Sequence, residues 1–227
     1  MIQLVNLVAR LGSEIHMTAI EICEHLVKDI YNNFDASHDF QHIERVRHNA
    51  LLISKEEGLV RYDIIEIAVL LHDVSDVKYS GKEGKAKETA ILDQLQLTPT
   101  DRQWIVDIIE SVSFSGGHEK EAQTIEAKIV RDADRLDAIG AVGIARTFAY
   151  GGAKGRKLYD WSESARVNMT EQEYRTKETS SVTHFYEKLL LLKDLMLTES
   201  GRKLALQRHE FMLAFIDQLK IETSEKL

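Results

Sequence analysis

The sequence predicts an all-α fold, on three observations. Apolar residues recur at spacings of three and four almost throughout the 227 residues, the pattern of helices that each bury one stripe. Runs that alternate β-branched and polar residues, the mark of half-buried strands, are scarce. Proline, which breaks helices, occurs once, at Pro99. With 44% hydrophobic and 29% charged residues, the chain can bury one sizeable core. No repeat or linker divides it, so a single helical domain is expected.

Taken in order, helices are expected at about 17–33, 39–57, 62–73, 83–96, 99–113, 120–150, 181–198 and 200–222. Residues 1–16, beginning MIQLVNLVARLG, form a lead-in with no assigned role. The second helix buries Ile43, Val46, Ala50 and Ile53 and is closed by Gly58. In the third, Ile65, Ala68, Val69 and His72 share a face. Thr98 and Pro99 are the cap and first position of the fifth. The long sixth segment carries Ile129, Ala133, Leu136, Gly140 and Ile144 on one face. Residues 151–180 are polar, basic at their beginning and without period, which marks a long loop of the kind that often carries function.

Composition narrows the function. A net charge of −8 and a pI near 5.6 argue against a nucleic-acid groove, which usually shows a basic face. A small phosphorylated ligand remains compatible where a metal supplies positive charge. One cysteine, Cys23, allows no internal disulfide and no CxxC zinc pattern, which fits a reducing cytoplasm. The apolar runs are too short to span a bilayer, and the first dozen residues lack the plan of a signal peptide. No membrane partner is expected, and the sequence leaves the oligomeric state open.

The polar residues that border apolar faces carry the chemistry. His72 and Asp73 close the apolar run of LLHDVSDVKYSG, and Asp76 follows three residues later. In DFQHIERVRHNALLI, His42 borders the apolar face, Arg45 lies one turn on, His38 one turn back and His48 on the other side. In IVRDADRLDAIGAVGIAR, Asp134 and Asp137 lie one turn apart among small apolar residues, whereas Asp132 and Arg135 fall elsewhere and are expected on a solvated or locally paired surface. Asp137 could equally pair with an arginine of a neighbouring helix. One such histidine alone would be read as a satisfied core residue. Together, two histidines and at least two carboxylates on three helices form a ligand set that suits Mn, Fe, Ni, Co, Zn or Mg. Without thiolates it is not a closed structural zinc site, and open positions allow water activation and phosphoryl polarisation.

These residues resemble a known pattern. His42 in HIERV, His72-Asp73 in LLHD and a later Asp in DADRLDAIG resemble the H…HD…D signature of the HD-domain metal-dependent phosphohydrolases. The longer strings SHDFQHIERVRHNA, LLHDVSD, DADRLDAIGAVGIARTFAYGG and HFYEKLLLLKDLM resemble a bacterial subgroup, the YpgQ-like nucleotide pyrophosphohydrolases, over nearly the whole chain from about Thr18. The resemblance implies a helical HD domain over 17–227 and one divalent metal, manganese favoured, held by His42, His72, Asp73 and Asp134. Asp134 is taken over Asp137 because the family's last ligand opens a step such as ADRL. Asp76, where some relatives carry Glu, is implied as general base, and His38 and Arg45 would face the phosphates. Arg146, Tyr150, Lys154, Arg156 and Lys157 are candidates for phosphate or base contacts. Lys188 and Lys193 are further candidates, although a solvated face is the simpler reading for both. His118 is expected at the surface.

The implied reaction converts a nucleoside triphosphate into monophosphate and pyrophosphate. A nucleoside monophosphate phosphatase or a phosphodiesterase would use the same metal site. The reading from a different class is a non-catalytic metal or nucleotide sensor, which would more readily have lost a ligand.

Overall fold

The computed structural model describes residues 17–34, 38–76, 80–112, 120–166 and 179–223; the lead-in 1–16 and His118 lie outside them. Among the described residues the elements are helical: α1 (Ala19–Tyr31), α2 (Phe40–Glu57), α3 (Tyr62–Leu71), α4 (Gly84–Leu92), α5 (Pro99–Val112), α6 (Ile125–Asp137), α7 (Gly140–Ala153), α8 (Ser181–Glu187) and α9 (Glu199–Thr223). Short 3-10 turns lie at Gly81–Glu83 and Leu189–Leu195. None of these helices is long and apolar enough to cross a membrane.

Local chemistry sets the helix starts. Thr18 and Glu21 form a reciprocal capping box on α1, the Thr18 hydroxyl accepting from Glu21 N at 3.2 Å and the Glu21 carboxylate accepting from Thr18 N at 2.7 Å. Asp39 caps α2 by accepting from His42 N at 3.1 Å. Thr98 and Thr124 accept from Asp101 N (3.1 Å) and Ala127 N (3.2 Å) at the starts of α5 and α6. Gly58, at φ 93°, closes α2 as the sequence predicts.

α3 sits at the centre. Ile64, Ile65, Ile67, Ala68, Val69, Leu70 and Leu71 are all buried, because α1, α2, α5 and α6 pack around it. α2 and α6 form the most extensive helix pair, with Ile43, Val46, Ala50 and Ile53 on one side and Ile129, Val130, Ala133 and Leu136 on the other. Asn49, buried between them, donates to the Ala133 carbonyl at 3.0 Å. Cys23 lies in the same core, where burial pushes its thiol up to about 12.

The structure departs from the sequence reading at four places. The expected helix 120–150 is two helices, broken after Asp137. Gly140 turns the chain at φ 74°, with Arg208 packed where a Cβ would stand, and Gly143 lies so close to the Ala138 carbonyl that no side chain would fit. The expected helix 181–198 continues past Glu187 only as a 3-10 turn. Asp132, expected at a solvated or locally paired surface, is fully buried. Its carboxylate accepts from Leu197 N (2.9 Å), Thr198 N (2.7 Å) and Thr198 Oγ1 (2.8 Å), and so ties the turn before α9 to α6. The expected loop 151–180 begins later than predicted, since α7 runs to Ala153, and residues 167–178 lie outside the described residues.

Candidate metal centre

Three helices converge on one point. His42 stands in the first turn of α2, His72 and Asp73 follow the last residue of α3, and Asp134 lies one turn before the end of α6. His42 Nε2 is 3.4 Å from Asp73 Oδ2 and 3.5 Å from Asp134 Oδ1. His72 Nε2 is 3.4 Å and 3.7 Å from the same two atoms. One ligand atom from each of His42, His72 and Asp134 lies within 4.8 Å of the others, a cluster that could hold a metal ion.

The donor set fits a divalent cation. His42 Nε2, His72 Nε2 and Asp73 Oδ2 are buried and make no hydrogen bond. Leaving a buried polar atom unpaired costs about 1–3 kcal/mol, and here three such atoms face a common centre. The carbonyl end of α3 adds negative potential beside His72 and Asp73. Asp134, 34% exposed at its side chain, is the open edge of the group.

The outward nitrogens of both rings are committed. His72 Nδ1 donates to the Val69 carbonyl at 2.8 Å, and His42 Nδ1 donates to Asp137 Oδ2 at 2.7 Å. Both bonds select the tautomer whose Nε2 lone pair points inward. Asp137 is itself braced: Arg45 Nε donates to Oδ1 at 2.6 Å, and Arg146 NH1 donates to Oδ2 at 2.7 Å. Asp137 therefore faces the back of His42 and pairs with neighbouring arginines.

Charges inside the cluster act on one another. Burial opposes charge on His72, but the carboxylates of Asp73 and Asp134 outweigh it and lift its pKa to about 10. His42 is raised the same way, with burial opposed by Asp137 and Asp73. Asp73, Asp134 and Asp137 are held below the usual carboxylate range, because the facing imidazoles, and for Asp137 the arginines, outweigh burial.

The other expected site residues fall into two places. Near the cluster, the His38 ring lies 5.5 Å from that of His42, and its charge helps to lower Asp73. Asp76 is half-buried one turn past Asp73, its N–H donating to the Asp73 carbonyl at 3.1 Å. Arg45 and Arg146, expected at phosphates, spend donors on Asp137. Farther along, Lys154 Nζ and Arg156 Cζ lie 5.8 Å and 5.3 Å from the Tyr150 ring centroid. Arg156 and Lys188 both act on His184, whose pKa burial and these cations pull down to about 4. Tyr150, Lys154, Arg156 and Lys188 thus belong to one cationic cluster at the end of α7 and α8. Lys157 pairs with Asp160 at 2.8 Å, and Lys193 with Asp194 at 2.7 Å.

Sequence reasoning missed His184, Asn49 and Arg208. Arg208 donates to the Leu136 carbonyl (2.5 Å) and to Asn49 Oδ1 (2.7 Å), joining α9 to the α2–α6 pair. His184 sits in the quoted string HFYEK, where a lone histidine on a helix was the available signal.

The HD domain family model matches residues 39–139, which include all four candidate ligands. The chain is 39% identical over 199 residues to the Bacillus subtilis protein YpgQ, covering 86% of this chain and 88% of that one. Among solved structures, an HD-superfamily hydrolase from Bacillus thuringiensis is 41% identical, with a TM-score of 0.72 over 91% of this chain and 97% of the other. A crystal structure of Bacillus subtilis YpgQ in complex with ADP is 34% identical, with a TM-score of 0.69 over 89% and 98%.

Proposed function

The chain belongs to the HD superfamily of metal-dependent phosphohydrolases, and from that premise we propose that it hydrolyses a nucleoside triphosphate to monophosphate and pyrophosphate, with manganese as the favoured ion. The observation that carries the reading is the set of three buried, unpaired atoms on His42, His72 and Asp73, facing one another beside Asp134. A nucleotide as substrate is supported by the ADP complex of YpgQ. In this reading residues 17–227 act as one HD unit.

His42, His72, Asp73 and Asp134 would hold the ion, which supplies Lewis acidity to a phosphoryl oxygen and lowers the pKa of a water. Asp76, one turn beyond Asp73, takes the proton of the attacking water. The water oxygen bonds to the α-phosphorus, the bond from that phosphorus to the α–β bridging oxygen breaks, and pyrophosphate leaves carrying that oxygen. Lys154, Arg156 and Lys188 hold the charge of the phosphate chain, and Tyr150 offers a flat face to the base. His38 lies beside Asp73 and steadies the reacting end. Arg45 and Arg146 contribute through Asp137, whose carboxylate orients His42.

The test is a nucleotide panel incubated with the manganese-loaded protein, with phosphate and pyrophosphate resolved by ion chromatography. Pyrophosphate with monophosphate is the expected pair. Inorganic phosphate as sole product would turn the reading to a phosphatase, and binding without turnover would make the protein a sensor. Asp76→Asn is expected to keep the metal and lose about a hundred- to ten-thousandfold in rate, the usual worth of a general base.

A further inference from the structure

A cavity of about 750 Å³ opens beside the metal centre, touching Asp137 and Arg45 but none of the four candidate ligands. It is framed by α2, the start of α7 and α9. Its volume lies in the range of small-molecule sites.

One cation of its wall is short of a partner. Arg45 and Arg146 both bond to Asp137, and the Asp137 charge also reaches Arg208. Arg208 is half-buried, donates only to the neutral oxygens of Leu136 and Asn49, and makes no ion pair among the described residues. Burial accordingly pulls its pKa below the ordinary arginine value. Two guanidiniums, Arg45 and Arg208, line the cavity together with the buried Asp137 carboxylate and the exposed Glu44, and Arg146 reaches Asp137 from outside the lining. A partly desolvated cation such as Arg208, bonded only to neutral oxygens, is costly, and an anion in the cavity would relieve it. The other walls suit an organic anion: Phe211 is 55% exposed and lines the cavity beside Arg208, and the Gln41 and Gln207 amides stand at its mouth.

We propose that this cavity is a second ligand site, separate from the metal centre, for a small organic phosphate whose anionic end lies between Arg45 and Arg208 and whose flat apolar part rests on Phe211. Arginine forks are suited to phosphate oxygens. Arg45 also braces Asp137, and Asp137 holds the outer nitrogen of His42. Occupancy of the cavity is therefore felt at the metal, and by linkage the metal alters the affinity of the cavity by the same factor. The site does not depend on the reaction proposed above.

The probe is adenosine monophosphate, titrated into the magnesium-loaded full chain while the methyl signals of Ile139 and Val142, which line the cavity, are followed by NMR. Saturable shifts at both are expected, with adenosine and inorganic phosphate each binding more weakly. Gln207→Glu sets a negative charge at the mouth without removing any hydrogen bond and should weaken binding about fivefold or more, with the melting temperature at its wild-type value. Magnesium affinity should change severalfold when the cavity is filled. Absent methyl shifts, adenosine binding as tightly as its phosphate, or an unchanged midpoint in Gln207→Glu would each overturn the site. An unchanged magnesium affinity would overturn its link to the metal centre.

Discussion

Two regions of α6 bury carboxylates and treat them in opposite ways. Around Asp132, three donors from the Leu197–Thr198 turn complete the carboxylate, although burial still raises its pKa. Around Asp134, two residues along the same helix, the neighbours are imidazole nitrogens and another carboxylate, and three of those buried atoms lack partners. The first region is closed and serves the fold. The second is complete only with something added, which is how a binding centre differs from an anchor when both are built from aspartate.

The comparison is broken most strongly at Asp134. Asp134→Ala should abolish tight metal binding and reduce turnover by about a thousandfold or more, since an active-site metal supplies several kcal/mol of transition-state stabilisation. The folded, metal-free protein should lose only the stabilisation that Asp134 gives to protonated His72, because Asp134 lies at the open edge. Elemental analysis and thermal denaturation with and without manganese check both halves. If the metal stays bound to the variant, Asp134 is not a ligand.

Asp132→Ala should do the reverse. Stripping the acceptor from buried donors costs about 1–3 kcal/mol for each donor left unpaired, so a stability loss of roughly 3 kcal/mol is expected with metal affinity near wild type. Chemical denaturation beside a metal titration decides it. Loss of metal affinity without loss of stability would make Asp132 part of the centre.

Asp137 lies between the two cases. Asp137→Asn removes the charge that orients His42 and should weaken metal affinity about 10–100-fold, the usual cost of losing such a partner, without abolishing binding. Equilibrium dialysis reads the change, and complete loss would exchange the roles of Asp134 and Asp137.

The smallest effect is in pH. Without metal, the facing carboxylates raise His72 to about 10 and raise His42 as well. A histidine with a raised folded pKa contributes stability that is full below its unfolded value of about 6.5 and is lost as pH rises through the folded value. Metal needs the neutral rings, so its uptake near neutral pH should release protons and its affinity should increase with pH. The melting temperatures of metal-free and metal-loaded protein should separate as pH rises from about 6.5. Proton release measured with an indicator dye checks the sign, and no release at neutral pH would show that the rings are neutral before metal arrives.

Much of this was legible in the residues. The apolar stripes of α2 and α6 were read residue by residue, because a helical period is local and each buried position follows from the last. The convergence of His42, His72, Asp73 and Asp134 rested on a pattern shared across distant segments, and spacing alone left Asp134 and Asp137 as alternatives. Asp132 was misread because one helix's wheel tells which face a residue occupies but not what covers that face. The break after Asp137 is not visible in the sequence because the apolar period continues through Gly140, and only the approach of Arg208 to Gly140 and of the Ala138 carbonyl to Gly143 shows why glycines are needed there.

The sequence by itself determined the helical class, the main core faces and the kinds of side chain available for a metal. These depend on chemistry repeated every three or four residues, which any one helix expresses alone. Only the tertiary structure decided the separate fates of Asp132, Asp134 and Asp137 and the gathering of Arg45, Arg146 and Arg208. The partners of those side chains come from other helices, up to 159 residues away for the bond from Arg208 to Asn49, and the distances between them are set by how the helices pack.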